Sequence, residues 1–277
     1  MKPVAIIVLN WNGWRDTVQC LVSLRRLSYD NFRVIVVDNG STDDSVQQIQ
    51  HLFPDISIIE AGENLGFAGG CNLGIRHALR DDTQYIWLLN NDTTVDSRAL
   101  GAMVDKAEAD PKIGAVGSVI YSAAEPERLL AWGGGYINFW LGCSRHYQSS
   151  VPDNEIEFLT GASLLLRRSS LESVGPLDEG FFMYWEDGDY CFRLRRAGWK
   201  LATAGESKVW HKEQGSSIKK SVLLDAYFNR SAARFFVRHA PIPIISIGAG
   251  MGLRIAKRIF IGDWERARAL WTRGQEQ

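Results

Sequence analysis

The sequence predicts an α/β fold, with a mostly parallel central sheet and helices on both faces. Three observations predict it. Short continuous apolar runs recur at Val4–Leu9, Val34–Val37 and Tyr85–Leu89. Each is too short for an ordinary helix and apolar throughout, as strands covered on both faces are. Between the first two, apolar residues fall at Val18, Leu21, Val22 and Leu24, a helical spacing. Each run also stops on turn-forming or acidic residues, at Asn10-Trp11-Asn12-Gly13, Asp38-Asn39-Gly40 and Asn90-Asn91-Asp92. Strands alternating with helices need crossover connections, and these make the sheet parallel.

In chain order, the first strand leads to a helix over Trp14–Leu27 and then to the strand at Val34–Val37. Ser41 with Asp44 is an N-cap pattern ahead of a helix at Asp43–Leu52. A short strand follows at Ile56–Ile59. Gly62–Gly70 reads as a glycine-rich loop opening a helix near Cys71–Leu79, and Asp96 caps the helix after the Tyr85–Leu89 strand. Beyond a strand at Ile113–Ile120 the pattern loosens, and residues 132–147 mix glycine and aromatics without a period. Phe158–Arg168 reads as a strand interrupted by Gly161, and Asp187–Ala197 as a helix closed by Gly198. Trp199–Thr203 and Lys208–Trp210 read as two short strands.

From Val222 to His239 the residues Leu224, Phe228, Ala232 and Phe235 form an apolar helical stripe, with Arg230, Arg234 and Arg238 on another face. Ile242–Leu253 is apolar, too short to span a bilayer, and followed by Arg254, Lys257 and Arg258. It fits an in-plane amphipathic segment, the alternative being a helix packed on the domain or on a second subunit. Residues 219–277 are therefore expected to form a basic amphipathic helical tail after a main domain at 1–218, itself divided into halves at 1–112 and 113–218.

The hydrophobic fraction of 45% and charged fraction of 23% are those of an ordinary soluble protein. Cys20, Cys71, Cys143 and Cys191 are scattered, which argues against a disulfide framework or a zinc site and fits a reducing compartment. No secretory signal is visible. The net charge of −1 hides an asymmetry, because eleven basic and four acidic residues lie from Lys219 onward. Such a tail is expected to meet an anionic membrane surface or phosphorylated material rather than nucleic acid.

In open α/β sheets, ligands collect beyond the carboxyl ends of the strands. Asp92 at such an end is placed to hold a divalent cation against phosphates, or else to cap the next turn. Asp38 ends the neighbouring strand, where it could accept the imide N–H of uracil or thymine or cap a helix. The turn after the first strand lacks Gly-x-Gly-x-x-Gly, so a dinucleotide reading fails. Glycines in Asn64-Leu65-Gly66-Phe67-Ala68-Gly69-Gly70 let backbone approach a ligand, and the amides there open a helix suited to phosphate or ribose oxygens. Glu186, Asp187 and Asp189 crowd three carboxylates behind the apolar run Phe181–Trp185. Such an arrangement either keeps one basic enough to take a proton or forms an acidic first helical turn. His211 follows a strand and is a metal-ligand candidate or a structural histidine.

Taken in order, Ile7–Asn12, Val36–Asp43, Asn64–Gly70, Leu89–Asp92 and Phe181–Arg193 resemble a family-2 glycosyltransferase of the GT-A fold, close to its rhamnosyltransferase-like members. The resemblance covers roughly residues 4–213. It implies a nucleotide-sugar donor, dTDP-rhamnose first and UDP-sugars behind it, contacted by Asn10, Asn12, Asp38, Asn64, Gly66, Gly69, Asn72, Asn91 and Asp92. It implies Mg²⁺ or Mn²⁺ on Asn90, Asp92 and His211, with Asn90 standing where many members have Asp. Asp187, beside Glu186, matches the family's catalytic base, which implies an inverting displacement. The acceptor, a saccharide or a lipid-linked one, is expected over residues 132–162 with Trp132, Tyr136 and Trp185 as its contacts. A cytoplasmic enzyme held peripherally at the inner membrane face follows, with homo-oligomerisation left open. A nucleotidyltransferase is the enzymatic rival, but it would need basic residues in the first turn. A catalytically inactive sugar-nucleotide-binding scaffold is the non-enzymatic one.

Overall fold

The computed structural model describes residues 1–212, 222–264 and 266–267. The chain runs β1 (Val4–Asn10), α1 (Trp14–Leu24), β2 (Phe32–Asp38), α2 (Ser45–Leu52), β3 (Ser57–Glu60), α3 (Gly66–Ala78), β4 (Tyr85–Asn90) and β5 (Thr93–Val95). It continues with α4 (Ala99–Glu108), β6 (Ile113–Ser122), β7 (Leu129–Trp132), β8 (Gly134–Asn138), β9 (Cys143–His146), β10 (Phe158–Leu159) and β11 (Ser163–Arg167). Last come α5 (Arg168–Val174), α6 (Glu186–Arg196), β12 (Lys200–His211), α7 (Val222–His239) and α8 (Pro243–Phe260).

The sheet order is β10-β8-β7-β6-β11-β4-β1-β2-β3, with β12 pairing β5 and β6 and β9 pairing β8. Strands β3, β2, β1 and β4 are parallel to one another. Beyond β4 the order is mixed, because β11 enters antiparallel between β4 and β6 while β12 runs parallel to β6. The sheet from β6 to β10 is thus built largely of hairpins, which need no crossover helices. Two cores flank the sheet. Ile6, Val8 and Trp87 pack with α1, α2 and α4 on one face. Ile7, Ile35 and Leu88 pack with α3, α5, α6 and α7 on the other.

Four local expectations change. Helix α3 starts at Gly66, not near Cys71. Its glycines serve close packing, since a Cβ on Gly70 would collide with Leu9 and one on Gly74 would come within 2.7 Å of Ile7. The two expected strands after Trp199 are one strand, β12, whose register shifts between Ala204 and Lys208. Such a bulge lets one strand change direction without ending. The Phe158–Arg168 strand is split at Gly161 into β10 and β11. Residues 132–147, which show no period in the sequence, fall in the meander β7–β8–β9 and its turns.

Helix α7 is not a free tail. Ala232, Phe235 and Phe236 are buried in the same core as Ile7 and Leu88. Two of the three arginines on its basic face meet carboxylates of the main domain. Arg234 pairs with Asp178 at 3.0 Å, and Arg238 pairs with Asp178 at 2.6 Å and Asp189 at 2.8 Å. Farther on, Arg258 and Arg266 pair with Asp225. The stripe expected to face a membrane therefore fastens α7 to the protein, the alternative the sequence left open. The expected boundary at 218/219 lies outside the described residues. Helix α8 leaves large apolar side chains in water beside Lys257: Ile244 is 80% and Phe260 92% exposed, with Ile245, Leu253 and Ile259 also open. No helix among the described residues is long and apolar enough to cross a membrane.

Candidate active site

Register alone brings the polar strand tips together. Asn10 lies opposite Asp38, and Leu9 opposite Asn90, so β1, β2 and β4 run out at one edge. Asp38 is buried there and accepts three hydrogen bonds, which leaves acceptor capacity on Oδ2. Its Oδ1 accepts from Asn10 Nδ2 at 2.9 Å and from Ser41 Oγ at 2.6 Å, and its Oδ2 accepts from the Ser41 amide at 2.9 Å. Thr17 Oγ1 fixes Asn10 by donating to its Oδ1 at 2.7 Å. Asn12, in a left-handed conformation at φ 50°, turns its Oδ1 to accept from the Thr42 amide at 2.8 Å. Asn91 donates to Thr17 Oγ1 at 3.0 Å. The cluster is a rigid frame at the end of the parallel strands.

Asn64 Oδ1 receives the Gly66 amide at 2.9 Å, closing the turn into α3. Gly66 sits at φ +73°, where a Cβ would strike the Phe182 carbonyl oxygen. The Phe67 amide donates to that same oxygen at 2.7 Å, so the start of α3 is locked onto the segment that precedes Glu186. Gly69 packs on Leu65 within its own helix. Asn72 lies away from the strand tips. It is fully buried, with Nδ2 donating to the Leu177 carbonyl and to Glu179 and Oδ1 accepting from the Leu177 amide. Its expected ligand contact gives way to a structural role, because both N–H donors are used and the side chain is fully buried.

Asp92 follows β4, and β12 returns antiparallel to β5 with His211 opposite Thr93. His211 Nε2 thereby stands 3.1 Å from Asp92 Oδ1 and 3.4 Å from Asn90 Nδ2. Two ligand atoms at right angles on one cation, each at about 2.1 Å, lie about 3 Å apart. A carboxylate, an imidazole and an amide with this spacing fit a divalent cation, Asn90 turning its amide oxygen inward. Among the described residues no third His, Cys, Asp or Glu joins them, which leaves the other positions to ligand oxygens.

Glu186 and Asp187 open α6 behind Tyr184 and Trp185, both held in left-handed backbone at φ 69°. That turn aims the first helical carboxylates at the cavity. Asp187 Oδ2 accepts the Gly161 amide at 2.8 Å, and its Oδ1 accepts its neighbour Gly188's amide at 2.7 Å. Crowding by protein pushes Asp187 up from its ordinary value, against the pull of these amides and of His146. Burial, and then the Asp187 charge, push Glu186 well up, and its Oε2 has no partner among the described residues. Asp189 is spent on Arg193, Arg238 and His239.

A cavity of about 550 Å³ unites these parts, since Asn90, Asp92 and His211 line it together with Glu186 and Asp187. His146 and Gly161 line it as well, and sequence reasoning missed both. His146 is exposed through the mouth yet surrounded by protein, which pushes its imidazole down while Asp187 pulls it up. The break at Gly161 was the only signal, since an isolated glycine in a strand marks a close backbone approach. Trp132 and Tyr136 do not line this cavity. The Trp132 ring faces Gly205, and Tyr136 packs on Tyr147 with ring centres 5.4 Å apart. Trp185 is buried against Phe235 and Phe236, walling a smaller adjoining pocket beside Asp187.

The glycosyl transferase family 2 model matches residues 5–175. An N-acetylglucosaminyl-diphospho-decaprenol L-rhamnosyltransferase of Mycobacterium tuberculosis is 29% identical over 235 residues, 76% of each chain. Among solved structures, GalNAc-T7 with UDP, GalNAc and Mn²⁺ superposes with a TM-score of 0.66 at 14% identity, over 77% of this chain and 44% of that one. A mannosyltransferase of Pyrobaculum calidifontis with GDP-Man and Mn²⁺ gives 0.63 at 18% identity, over 99% and 80%. At these identities the two structures speak for the fold alone, which is GT-A.

Proposed function

The chain belongs to glycosyl transferase family 2, and we propose that it is an inverting enzyme moving a sugar, L-rhamnose from dTDP-rhamnose in the first instance, onto a lipid-linked saccharide. One observation carries the reading: Asp187, held by two backbone amides, faces the same cavity as Asp92 and His211. The first pair of strand tips, Asn10 and Asp38, would seat the pyrimidine, and the amides opening α3 at Gly66 the ribose or phosphates. Asp92, His211 and the Asn90 amide oxygen would hold Mg²⁺ or Mn²⁺. A cation bound there supplies positive charge against the diphosphate.

Asp187 takes the proton of the acceptor hydroxyl as that oxygen bonds to the anomeric carbon. The bond from that carbon to the diphosphate oxygen breaks with its electron pair, so configuration inverts. A raised carboxyl is a better base than an ordinary one, and burial supplies that rise here. The relative's lipid-linked acceptor and the exposed apolar side chains of α8 support a position on the inner membrane surface. Replacing Asp187 by Asn, and following donor turnover beside donor binding, tests the proposal. Turnover is expected to fall by about 10²–10⁴ with binding kept, and near-normal turnover would overturn it.

A further inference from the structure

A second concavity lies beside the first. The tip of the β8–β9 hairpin docks on α8, where a Cβ on Gly142 would collide with the Ser246 carbonyl and Ser246 Oγ donates to the Phe139 carbonyl. Next to this contact runs a groove of about 350 Å³, walled by Ile137, Phe139 and Trp140 on one side and Ile242 and Ile245 on the other. That is the size of a small-ligand pocket. Its small polar side chains are already committed, Ser246 to Phe139 and Asn138 Oδ1 to the Leu141 amide at 2.9 Å. Tyr136 lines it too, and beyond that phenol and the Asn138 amide the lining is apolar, so it suits hydrocarbon.

Position gives the groove a purpose. Ile137 lines both this groove and the smaller pocket that holds Glu186 and Asp187. A chain lying in the groove would therefore present its head toward the base. The outer rim is apolar too, with Trp140 67% and Ile244 80% exposed. We propose that this groove binds the first isoprenoid units of the acceptor's polyprenyl chain, which rests on the reading of the acceptor as lipid-linked. Specificity for the acceptor then comes partly from its hydrocarbon, at a site separate from the sugar chemistry.

The test is photolabelling of the full chain with a benzophenone-bearing farnesyl diphosphate, without any donor sugar. Label is expected within residues 136–140 and 241–246. Unlabelled farnesyl diphosphate should displace the probe and inorganic pyrophosphate should not. The exposed-position variants Trp140→Gln and Ile245→Asn should each lower labelling by about tenfold, with unchanged melting temperature. Label elsewhere, or unchanged labelling in both variants, overturns the proposal. So does displacement by phosphatidylglycerol vesicles as effective as that by farnesyl diphosphate, which would make the groove a bilayer contact. Asp187→Asn should label like the wild type, so a failed transferase reading and a failed groove are told apart.

Discussion

His211 Nε2 stands 3.1 Å from Asp92 Oδ1 because the last residues of β12 pair with β5. The end of the main domain thus completes a site begun at the tip of β4. Removing one such charge-stabilising group typically costs about 10²–10³ in kcat. His211→Ala and Asp92→Asn are each expected to lower turnover to that extent. Mn²⁺ with a nucleoside diphosphate is expected to raise the melting temperature of the wild type, and both variants should abolish that rise. A Mn²⁺-dependent rise unchanged in both variants would exclude this pair as the cation site.

The pH profile follows from Asp187. Its carboxyl is raised, crowding by protein being the main cause, so it takes up its proton at a higher pH than an ordinary aspartate does. The acid limb of kcat/KM should accordingly fall at a higher pH than a surface aspartate would give. Because Glu186 is coupled to it, that midpoint belongs to the pair. The limb should be absent from the residual activity of Asp187→Asn, as a pH series on both proteins would report.

The parallel half was legible because strands buried on both faces leave unbroken apolar runs, and their polar tips mark the crevice directly. Asp38 and Asp92 could be read that way, and Asp187 from the carboxylates crowded behind the apolar run Phe181–Trp185. The region 132–147 could not, for a physical reason. Gly134 and Gly135 sit where a Cβ would collide with the Phe158 and Arg145 carbonyls. Glycines that make strands fit closely look like loop signals in a sequence. His146 was hidden with them. The α7 arginines misled differently, since nothing local reveals that Asp178 and Asp189, far upstream, are their partners.

Glu186 sets function against stability. Burial raises it well above 4.5, and its Oε2 is unpartnered among the described residues. With the folded value raised, its favourable contribution is complete below the unfolded value and is lost as pH rises through the folded one. Glu186→Gln should therefore match the wild type near pH 4 and be more stable at pH 8, by about 1–3 kcal/mol. Denaturant melts at both pH values would show it, and a Gln variant less stable at pH 8 would contradict it.

Asp189 has the opposite sign. Burial pushes it up, but His239, Arg193 and Arg238 together bring it down to about 2 from 3.8. Its contribution is present above 3.8 and is lost as pH falls toward 2. Asp189→Asn leaves three cationic or polar partners facing an amide, and breaking a buried pair costs about 3–5 kcal/mol. The deficit should be full at pH 7 and vanish near pH 2, with faster hydrogen exchange in α7, which this carboxylate fastens to α6.

Gly66 is where a backbone constraint reaches the chemistry. It occupies φ +73°, and a Cβ there would strike the Phe182 carbonyl that also receives the Phe67 amide. Left-handed backbone costs a non-glycine residue about 1–2 kcal/mol, and the collision must be relieved by moving one segment or the other. The start of α3 is held by Asn39 and Asn64, with Asn39 Nδ2 donating to the Gly66 carbonyl at 3.0 Å. The yielding side is thus the segment from Phe182 to Glu186, which also carries the left-handed Tyr184 and Trp185. Gly66→Ala should destabilise the fold by about 1–3 kcal/mol and lower kcat more than donor affinity, because Asp187 shifts while the strand tips stay. Equal losses in kcat and donor affinity would show instead that α3 moved, and with it the frame around Asn10 and Asp38.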